Sequence, residues 1–241
     1  MRATKRTVAV LSAFAAALLF AGCAAAPKAE SPTASPSPTE GSGDHDIDEM
    51  AGALLDNGRM FVVTTQGSST CIPQVKSATA KGQTVAVTLV DPASDSVCTM
   101  DLVPRASAGE LPSGVDPTKD VTLQVTYGDR VGTIEIDGTS ITGTPGTPTD
   151  NKPSASWIDD DTLVLLTWGS SGCPPVVESL SGSGNSGTVT FVTDKTKVCT
   201  ADMAPRVTLI TFDKGSVDDD GAFTLKLVGD NLDGTVEVAA S

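Results

Sequence analysis

The sequence predicts an all-β protein made of two tandem small β-sandwich domains, Ig-like or barrel-like, each with one internal disulfide. Three observations lead to this prediction. The chain repeats itself at an offset of 101 to 102 residues, each copy holds two cysteines, and each copy alternates short runs of β-branched and aliphatic residues with turn formers. Hydrophobic residues make up 39% of the chain but aromatic residues only 4%, so the predicted cores consist of Val, Leu, Ile and Ala.

Two sequence blocks define the repeat. The segment GSSTCIPQV at 67–75 returns as GSSGCPPVV at 169–177, and CTMDLVPR at 98–105 returns as CTADMAPR at 199–206. Two matched blocks at a nearly constant offset indicate a duplicated unit, and a run rich in Gly, Thr and Pro separates the copies. The expected boundaries are 46–139 for the first β-repeat domain, 140–152 for the linker and 153–241 for the second β-repeat domain.

Each copy is predicted to form six or seven short strands separated by turns, a number typical of a sandwich or small barrel. In the second copy the predicted strands are 162–168, 176–180, 188–193, 207–212, 222–228 and 235–238. Their counterparts in the first copy are 60–65, 84–90, 121–127 and 133–136. The segment from Asp46 to Leu55 has apolar residues at helical spacing, which predicts a short helix leading into the first domain.

Four of the five cysteines are expected to form disulfides within the repeats. Cys71 and Cys98 are 27 residues apart, and Cys173 and Cys199 are 26 apart. In an oxidising extracytoplasmic setting the natural pairing is within each copy, and each bridge would stabilise the fold by roughly 3 to 4 kcal/mol. A metal site is not expected, because the chain has no C-x-x-C spacing and no histidine in either repeat.

The first 22 residues are expected to be a lipoprotein signal peptide. Three basic residues within the first six precede an apolar run at 8–20, which is too short to span a bilayer. The run ends in FAGC at 20–23, which resembles the lipobox of bacterial lipoprotein precursors, with Phe20 where Leu is usual. This resemblance implies cleavage before Cys23 and lipidation of its thiol. The alternative is a plain secreted protein cleaved nearby, which would leave an unpaired cysteine outside the cell.

Acyl chains such as palmitate on Cys23 would anchor the protein stably, since each buried methylene contributes about 0.8 kcal/mol. Residues 23–45 are then the lipidated cysteine and a disordered tether rich in Ser, Thr and Pro. The lipobox, the tether and the repeated G-S-S-x-C-x-P and C-T-x-D-x-x-P-R patterns resemble a group of secreted lipoproteins from high-GC Gram-positive bacteria. The resemblance covers both repeats and implies a location on the extracytoplasmic face of the cell membrane, without implying a chemistry.

Charge and composition exclude several functions. The chain carries 16 basic and 30 acidic residues, a net charge of −14, which argues against nucleic acid as a partner. The single histidine, His45, lies among acidic residues before the first repeat, where a solvated hinge is the simplest interpretation. Without a histidine in either repeat or a free thiol, Ser-His-Asp, Cys-His and His-metal catalysis are not expected. No cofactor is expected, and a hydrolase based on paired carboxylates remains the catalytic alternative.

Five residues are candidate contacts to a ligand or partner. Arg105 and Arg206 follow an Asp at a spacing of four, so each either forms an ion pair or a capped turn beside the disulfide, or grips a carboxylate or phosphate group of a ligand. Ser170 and Ser171 either present hydroxyls or form only a turn that positions the cysteine. Trp168, where the first copy has Gln66, is either core or a platform for a sugar or protein.

The function expected from the sequence is that of a membrane-anchored extracytoplasmic lipoprotein with a non-catalytic binding or interaction role at the cell envelope. Its partner would be an unknown envelope protein or a small ligand, beside the membrane that holds Cys23. The alternatives are a structural envelope spacer without a specific ligand and, outside binding, the carboxylate-dependent hydrolase.

Overall fold

The computed structural model describes residues 50–93, 96–139 and 143–239. The predicted signal peptide, the lipidation site Cys23, the tether and His45 lie outside the described residues. No helix of the described part is long and apolar enough to cross a membrane.

The protein is all-β, as predicted, with fourteen strands in the described part and one 3-10 turn at Asp56–Gly58. In the first repeat the strands are β1 (Gly52–Leu55), β2 (Met60–Gly67), β3 (Gln74–Lys81), β4 (Thr84–Val90), β5 (Val103–Glu110), β6 (Val121–Tyr127) and β7 (Arg130–Ile136). In the second they are β8 (Ser154–Asp159), β9 (Thr162–Gly169), β10 (Val177–Ser183), β11 (Ser186–Phe191), β12 (Ala204–Thr211), β13 (Phe223–Val228) and β14 (Gly234–Ala239).

The helix predicted for Asp46 to Leu55 is wrong in its described part. Gly52 to Leu55 form β1, which pairs antiparallel with β2 from Gly52 opposite Val63 to Leu55 opposite Met60. The last three residues of β1 are buried. Hydrogen bonding to a neighbouring strand and burial on both faces therefore override the helical spacing of the apolar residues.

The two repeats have the same order of strands. In the first, one sheet has the order β1-β2-β5 and the other the order β3-β4-β6-β7. In the second, the equivalent sheets are β8-β9-β12 and β10-β11-β13-β14, and they join into seven strands where β14 pairs parallel with β8. β4 with β6, and β11 with β13, are parallel pairs among otherwise mostly antiparallel neighbours.

Each repeat buries a core between its two sheets. In the first repeat Phe61 and Val63 of β2 face Val87 of β4 and Leu123 of β6 in one cluster. The equivalent cluster of the second repeat contains four aromatic residues, Trp157, Phe191, Phe212 and Phe223. The ring centroids of Trp157 and Phe223 are 5.0 Å apart, and those of Phe212 and Phe223 are 5.7 Å apart. The scarce aromatic residues are thus concentrated in the second core, whereas the first contains Phe61 and has Tyr127 packed against it.

A third apolar cluster joins the repeats. The alternate residues of the central strands, such as Val62 on β2 with Val164 and Leu166 on β9, point away from the cores of their own repeats and bury one another. The described residues of both repeats accordingly form one compact unit. The layers follow one another in a single solenoid-like β stack rather than in the two separate sandwiches that the sequence predicted. The physical reason is that both faces of β2 and β9 are apolar, so each three-stranded sheet has two faces to bury.

The segment between the repeats lies against the turn that joins β1 and β2. The backbone N–H of Gly143 donates to the carbonyl oxygen of Asn57 at 2.9 Å. Arg59 donates from Nε to the Thr147 hydroxyl at 3.3 Å, and its Nη2 lies 3.8 Å from a carboxylate oxygen of Asp150. These contacts fix the described part of the inter-repeat segment to the first repeat.

Candidate functional site: the disulfide corners and the inter-repeat cleft

In each repeat the two sequence blocks fold together around the disulfide, and we call this arrangement a disulfide corner. Cys71 is bonded to Cys98 with Cα atoms 5.4 Å apart, and Cys173 to Cys199 with Cα atoms 5.5 Å apart. Both predicted pairings are confirmed. The loops at Gly67 and Gly169 and the segments after the second cysteines are therefore held side by side in both copies.

The hydroxyl-rich loop of the first corner is held by one carboxylate. Asp101 accepts a hydrogen bond from the backbone N–H of Ser69 at 3.1 Å and another from the Thr99 hydroxyl. The Thr99 hydroxyl lies 2.8 Å from that of Ser68. These donors favour the ionised carboxylate, so Thr99 and then Ser69 lower the pKa of Asp101 from 3.8 to about 2.

The second corner repeats this pattern with the candidate residues Ser170 and Ser171. Asp202 accepts from the backbone N–H of Ser171 at 3.1 Å and from the Thr200 hydroxyl, which lies 2.7 Å from the Ser170 hydroxyl. The pKa of Asp202 is likewise lowered to about 2, first by Thr200 and then by Ser171. The hydroxyl of Ser170 and the backbone N–H of Ser171 are therefore both held by hydrogen bonds within the second corner.

The arginines of the two motifs bind backbone carbonyls. Arg105 is 5% exposed and donates to the carbonyl oxygens of Cys71 and Gln66 and, at 3.3 Å, to the Thr65 hydroxyl. Arg206 donates to the carbonyl oxygen of Cys173 at 3.0 Å and to that of Trp168 at 2.9 Å. Burial lowers the pKa of Arg206.

Because Asp101 and Asp202 bind the serine loops, the Asp and Arg of each motif have different partners. The ion pair is therefore wrong, and of the interpretations of this spacing the geometry agrees with a turn braced beside the disulfide. The glycines at the start of the loops leave room for the guanidinium: a Cβ on Gly67 would lie 2.5 Å from Cζ of Arg105, and one on Gly169 would lie 2.8 Å from Cζ of Arg206. A larger residue at either position would displace the arginine.

The disulfide corners carry most of the exposed large apolar side chains of the described residues. Nine of the ten lie within a cysteine loop or within four residues after it, and the tenth is Val131 on β7. Val97 is 90% exposed, Met100 104% and Val198 94%. The remaining six are Ile72, Leu102, Val176, Val177, Val192 and Met203. This enrichment occurs in both repeats, so it belongs to the duplicated unit.

A cleft of about 610 Å³ lies between the repeats. Trp168, Met203 and Pro205 of the second repeat line one side, and residues of the first repeat, including Arg59 and Glu110, line the other. Thr147, Thr149 and Asn151 of the inter-repeat segment complete the wall. Trp168 thus lies at this cleft as well as against the cluster that joins the repeats.

Asp56 is a buried carboxyl group in the wall of the cleft, with 4% of its surface exposed. Its Oδ1 lies 3.7 Å from Nη1 of Arg59. Burial raises the pKa of Asp56, against the lowering effects of a hydrogen bond from Thr149 and of the Arg59 charge. Asp56 and Asn57 have φ of 48° and 56°, which is the left-handed backbone conformation.

Two polar atoms in the cleft wall have no hydrogen-bond partner among the described residues. They are Oδ2 of Asp56 and Nε1 of Trp168, and both are shielded from solvent. Sequence reasoning identified Trp168 but missed Asp56 and Arg59. The available signal was the DNG triplet at 56–58, which is typical of a tight hairpin turn, although it does not predict what packs against that turn.

Among residues 50–93, 96–139 and 143–239 no group of three or more His, Cys, Asp or Glu side chains is placed to hold a metal ion. No known protein family, curated protein or solved structure matches the chain.

Proposed function

We propose that this chain is a membrane-anchored extracytoplasmic lipoprotein, held by lipidated Cys23, with a non-catalytic interaction role at the cell envelope. Its contact surfaces are the apolar side chains of the two disulfide corners. The observation that carries the proposal is the location of the exposed large apolar residues, nine of ten of which lie at the corners.

Exposed apolar side chains that cluster at one kind of place mark interaction sites more often than scattered ones do. Here the scaffold beneath them is rigid, because a disulfide, an arginine bonded to backbone carbonyl oxygens and a hydrogen-bonded carboxylate fix each loop. Ordering side chains at an interface costs free energy, so a loop that is already fixed loses less on binding. The partner we propose is therefore an envelope protein that presents an apolar surface.

The test uses the full-length, lipidated protein in its own cells, with a photo-crosslinking amino acid at Met100 or at Val198. The matched control is Val131, which is 61% exposed but lies outside the corners. We expect discrete crosslinked species from Met100 and Val198 and none from Val131. Equal crosslinking from all three positions, or none from the two corners, would overturn the interaction role and favour the structural spacer.

The anchor is tested separately. A Cys23→Ala variant should appear in the medium, whereas the unchanged protein should sediment with membranes. If both fractionate alike, Cys23 is not the anchor, and the interaction role must be judged on the crosslinks alone.

The spacer alternative is supported by the shared apolar cluster, which makes the described residues of both repeats one compact unit. A spacer needs length and stiffness and no particular side chains at the corners. Met100→Ser and Val198→Ser together should then leave the phenotype of a deletion strain fully complemented, whereas the interaction role predicts loss of complementation at unchanged protein level.

A further inference from the structure

The cleft between the repeats, whose lining includes Met203 and Pro205 of the second disulfide corner, has the composition of a ligand site. At about 610 Å³ it lies within the usual range for small-molecule sites, roughly 300 to 1,000 Å³. Its lining combines apolar groups, namely the Trp168 ring, Met60 and Pro205, with hydroxyl and amide groups of the inter-repeat segment. A site of this kind recognises a ligand that has both an apolar face and many hydrogen-bonding groups.

The charges in the cleft argue against an anionic ligand. Arg59, which would attract one, already lies 3.7 Å from Asp56 and 3.8 Å from Asp150. Its charge is therefore balanced by two carboxylates, and Glu110 adds a further negative charge to the lining. An anion would meet a net negative wall.

A cationic ligand would gain little binding free energy from the charges of the cleft either. The Asp56 carboxyl faces Arg59 and is 4% exposed, so it offers no free charge at the surface of the cleft. Glu110 is exposed, and an ion pair with an exposed carboxylate contributes about 0 to 1 kcal/mol. The favoured ligand is therefore uncharged.

The unpartnered Nε1 of Trp168 narrows the class of ligand further, because this indole N–H needs a hydrogen-bond acceptor beside the ring. Hydroxyl groups on a ligand can accept that bond and can also bond to the threonine hydroxyls and the asparagine amide of the inter-repeat segment. We propose that the inter-repeat cleft binds a short neutral saccharide, with a sugar ring against Trp168 and hydroxyl groups bonded to the side chains of the first repeat and the inter-repeat segment.

The tryptophans allow a direct test with the full-length protein in detergent. The chain contains two, of which Trp157 is 1% exposed in the core and Trp168 is half-buried at the cleft. Acrylamide therefore quenches mainly Trp168. We expect one or more members of a panel of neutral disaccharides, built from hexoses or N-acetylhexosamines, to protect this fluorescence in a saturable manner.

Disaccharide binding by three variants shows whether the ligand occupies the cleft. Calorimetry with the disaccharide that protects best should show about tenfold or greater loss of affinity for Trp168→Ala, from loss of the ring contact. Asp56→Asn keeps the size of the side chain and should weaken binding less, and Met100→Ser at the corner should bind as the unchanged protein does. Because Met100 lies outside the cleft lining, unchanged disaccharide binding by Met100→Ser separates the cleft from the first corner. If the corners prove to bind no partner, the saccharide proposal is therefore unaffected.

Three results would overturn the proposal: no disaccharide of the panel protects Trp168, choline or glucose 6-phosphate protects it better than every disaccharide, or Trp168→Ala binds as tightly as the unchanged protein. An extended peptide that protects Trp168 where no disaccharide does would assign the cleft to a protein segment instead.

Discussion

Leu166→Ala should destabilise both repeats, because Leu166 belongs to the cluster that joins them. Its side chain is fully buried, on the face of β9 that points away from the core of its own repeat. Replacing a fully buried leucine by alanine costs about 2 to 5 kcal/mol, and β9 is a central strand with neighbours on both sides, which limits collapse of the cavity. We expect about 3 kcal/mol, a large part of the stability of a domain of this size.

The assay is hydrogen exchange followed by mass spectrometry under native conditions and in increasing urea. Peptides from β4 and β6 report on the core of the first repeat, and peptides from β11 and β13 report on that of the second. If the repeats unfold as one unit, the variant should lose protection in both sets by the same free energy. Protection lost only in β11 and β13 would refute the inference that the shared cluster couples the repeats.

Leu225→Ala is the matched control. Leu225 is also fully buried, but it belongs to the core of the second repeat and not to the shared cluster. Because a cooperative unit unfolds as a whole, Leu225→Ala should lower the protection of β4 and β6 in urea as well as that of β11 and β13. If either variant left β4 and β6 fully protected, the two repeats would be independent domains.

Three further predictions concern the corners and the cleft. Arg105→Met should lower the free energy of unfolding by about 3 kcal/mol, because bonds from a charged donor to two buried carbonyls are lost, and the midpoint of urea unfolding measures this; an unchanged midpoint would contradict the bracing role. The pKa of Asp202 is about 2 in the folded protein, so its contribution to stability is present above pH 3.8 and is lost as the pH falls through about 2. The Tm difference between the unchanged protein and Asp202→Asn should therefore shrink over that pH interval. A constant difference would refute the assignment. The pKa of Asp56 is raised, so its contribution to stability is complete below pH 3.8 and is lost as the pH rises through the raised pKa. The Tm of Asp56→Asn relative to the unchanged protein should therefore rise from pH 4 to pH 7. A fall in that relative Tm would show that the pairing with Arg59 outweighs burial.

The sequence predicted the strand content and the disulfides well because both depend on short-range signals. Alternation of β-branched residues marked β4, β6, β11 and β13, and the cysteine spacing together with the repeat left one natural pairing in each copy. The strands that were missed carry no such alternation. β3, for example, is a polar edge strand with few buried residues, and β8 contains two serines.

The solenoid-like β stack was not predicted from the sequence, and the reason is different. Runs such as MFVVTT in β2 and TLVLLT in β9 are apolar at successive positions, and this pattern indicates a strand buried on both faces. Within an isolated sandwich one face of each sheet is solvated, so the pattern contradicted the predicted architecture. It did not specify which surface covers the second face, and here that surface is the equivalent sheet of the other repeat.

The candidate site was predictable only in part, because sequence spacing does not show which partner a charged side chain meets. Arg105 and Arg206 were correctly placed beside the disulfides, but the carbonyls that they bind carry no sequence signal. The cleft depends on a contact between distant segments: Trp168 and Glu110 come from different repeats, and no local pattern relates them.

The residues that line the cleft also show how the two corners are placed relative to each other. β5 begins beside the first corner and ends at Glu110, whereas β12 begins beside the second corner at Ala204. Because Glu110 and Pro205 line the same cleft, the far end of β5 meets the near end of β12, and the corners lie at opposite ends of the two packed sheets. An eight-residue strand spans about 26 Å, so the corners are separated by roughly that distance. A single small partner cannot cover both, and the duplication therefore supplies two separate contact surfaces on one rigid body instead of one enlarged surface.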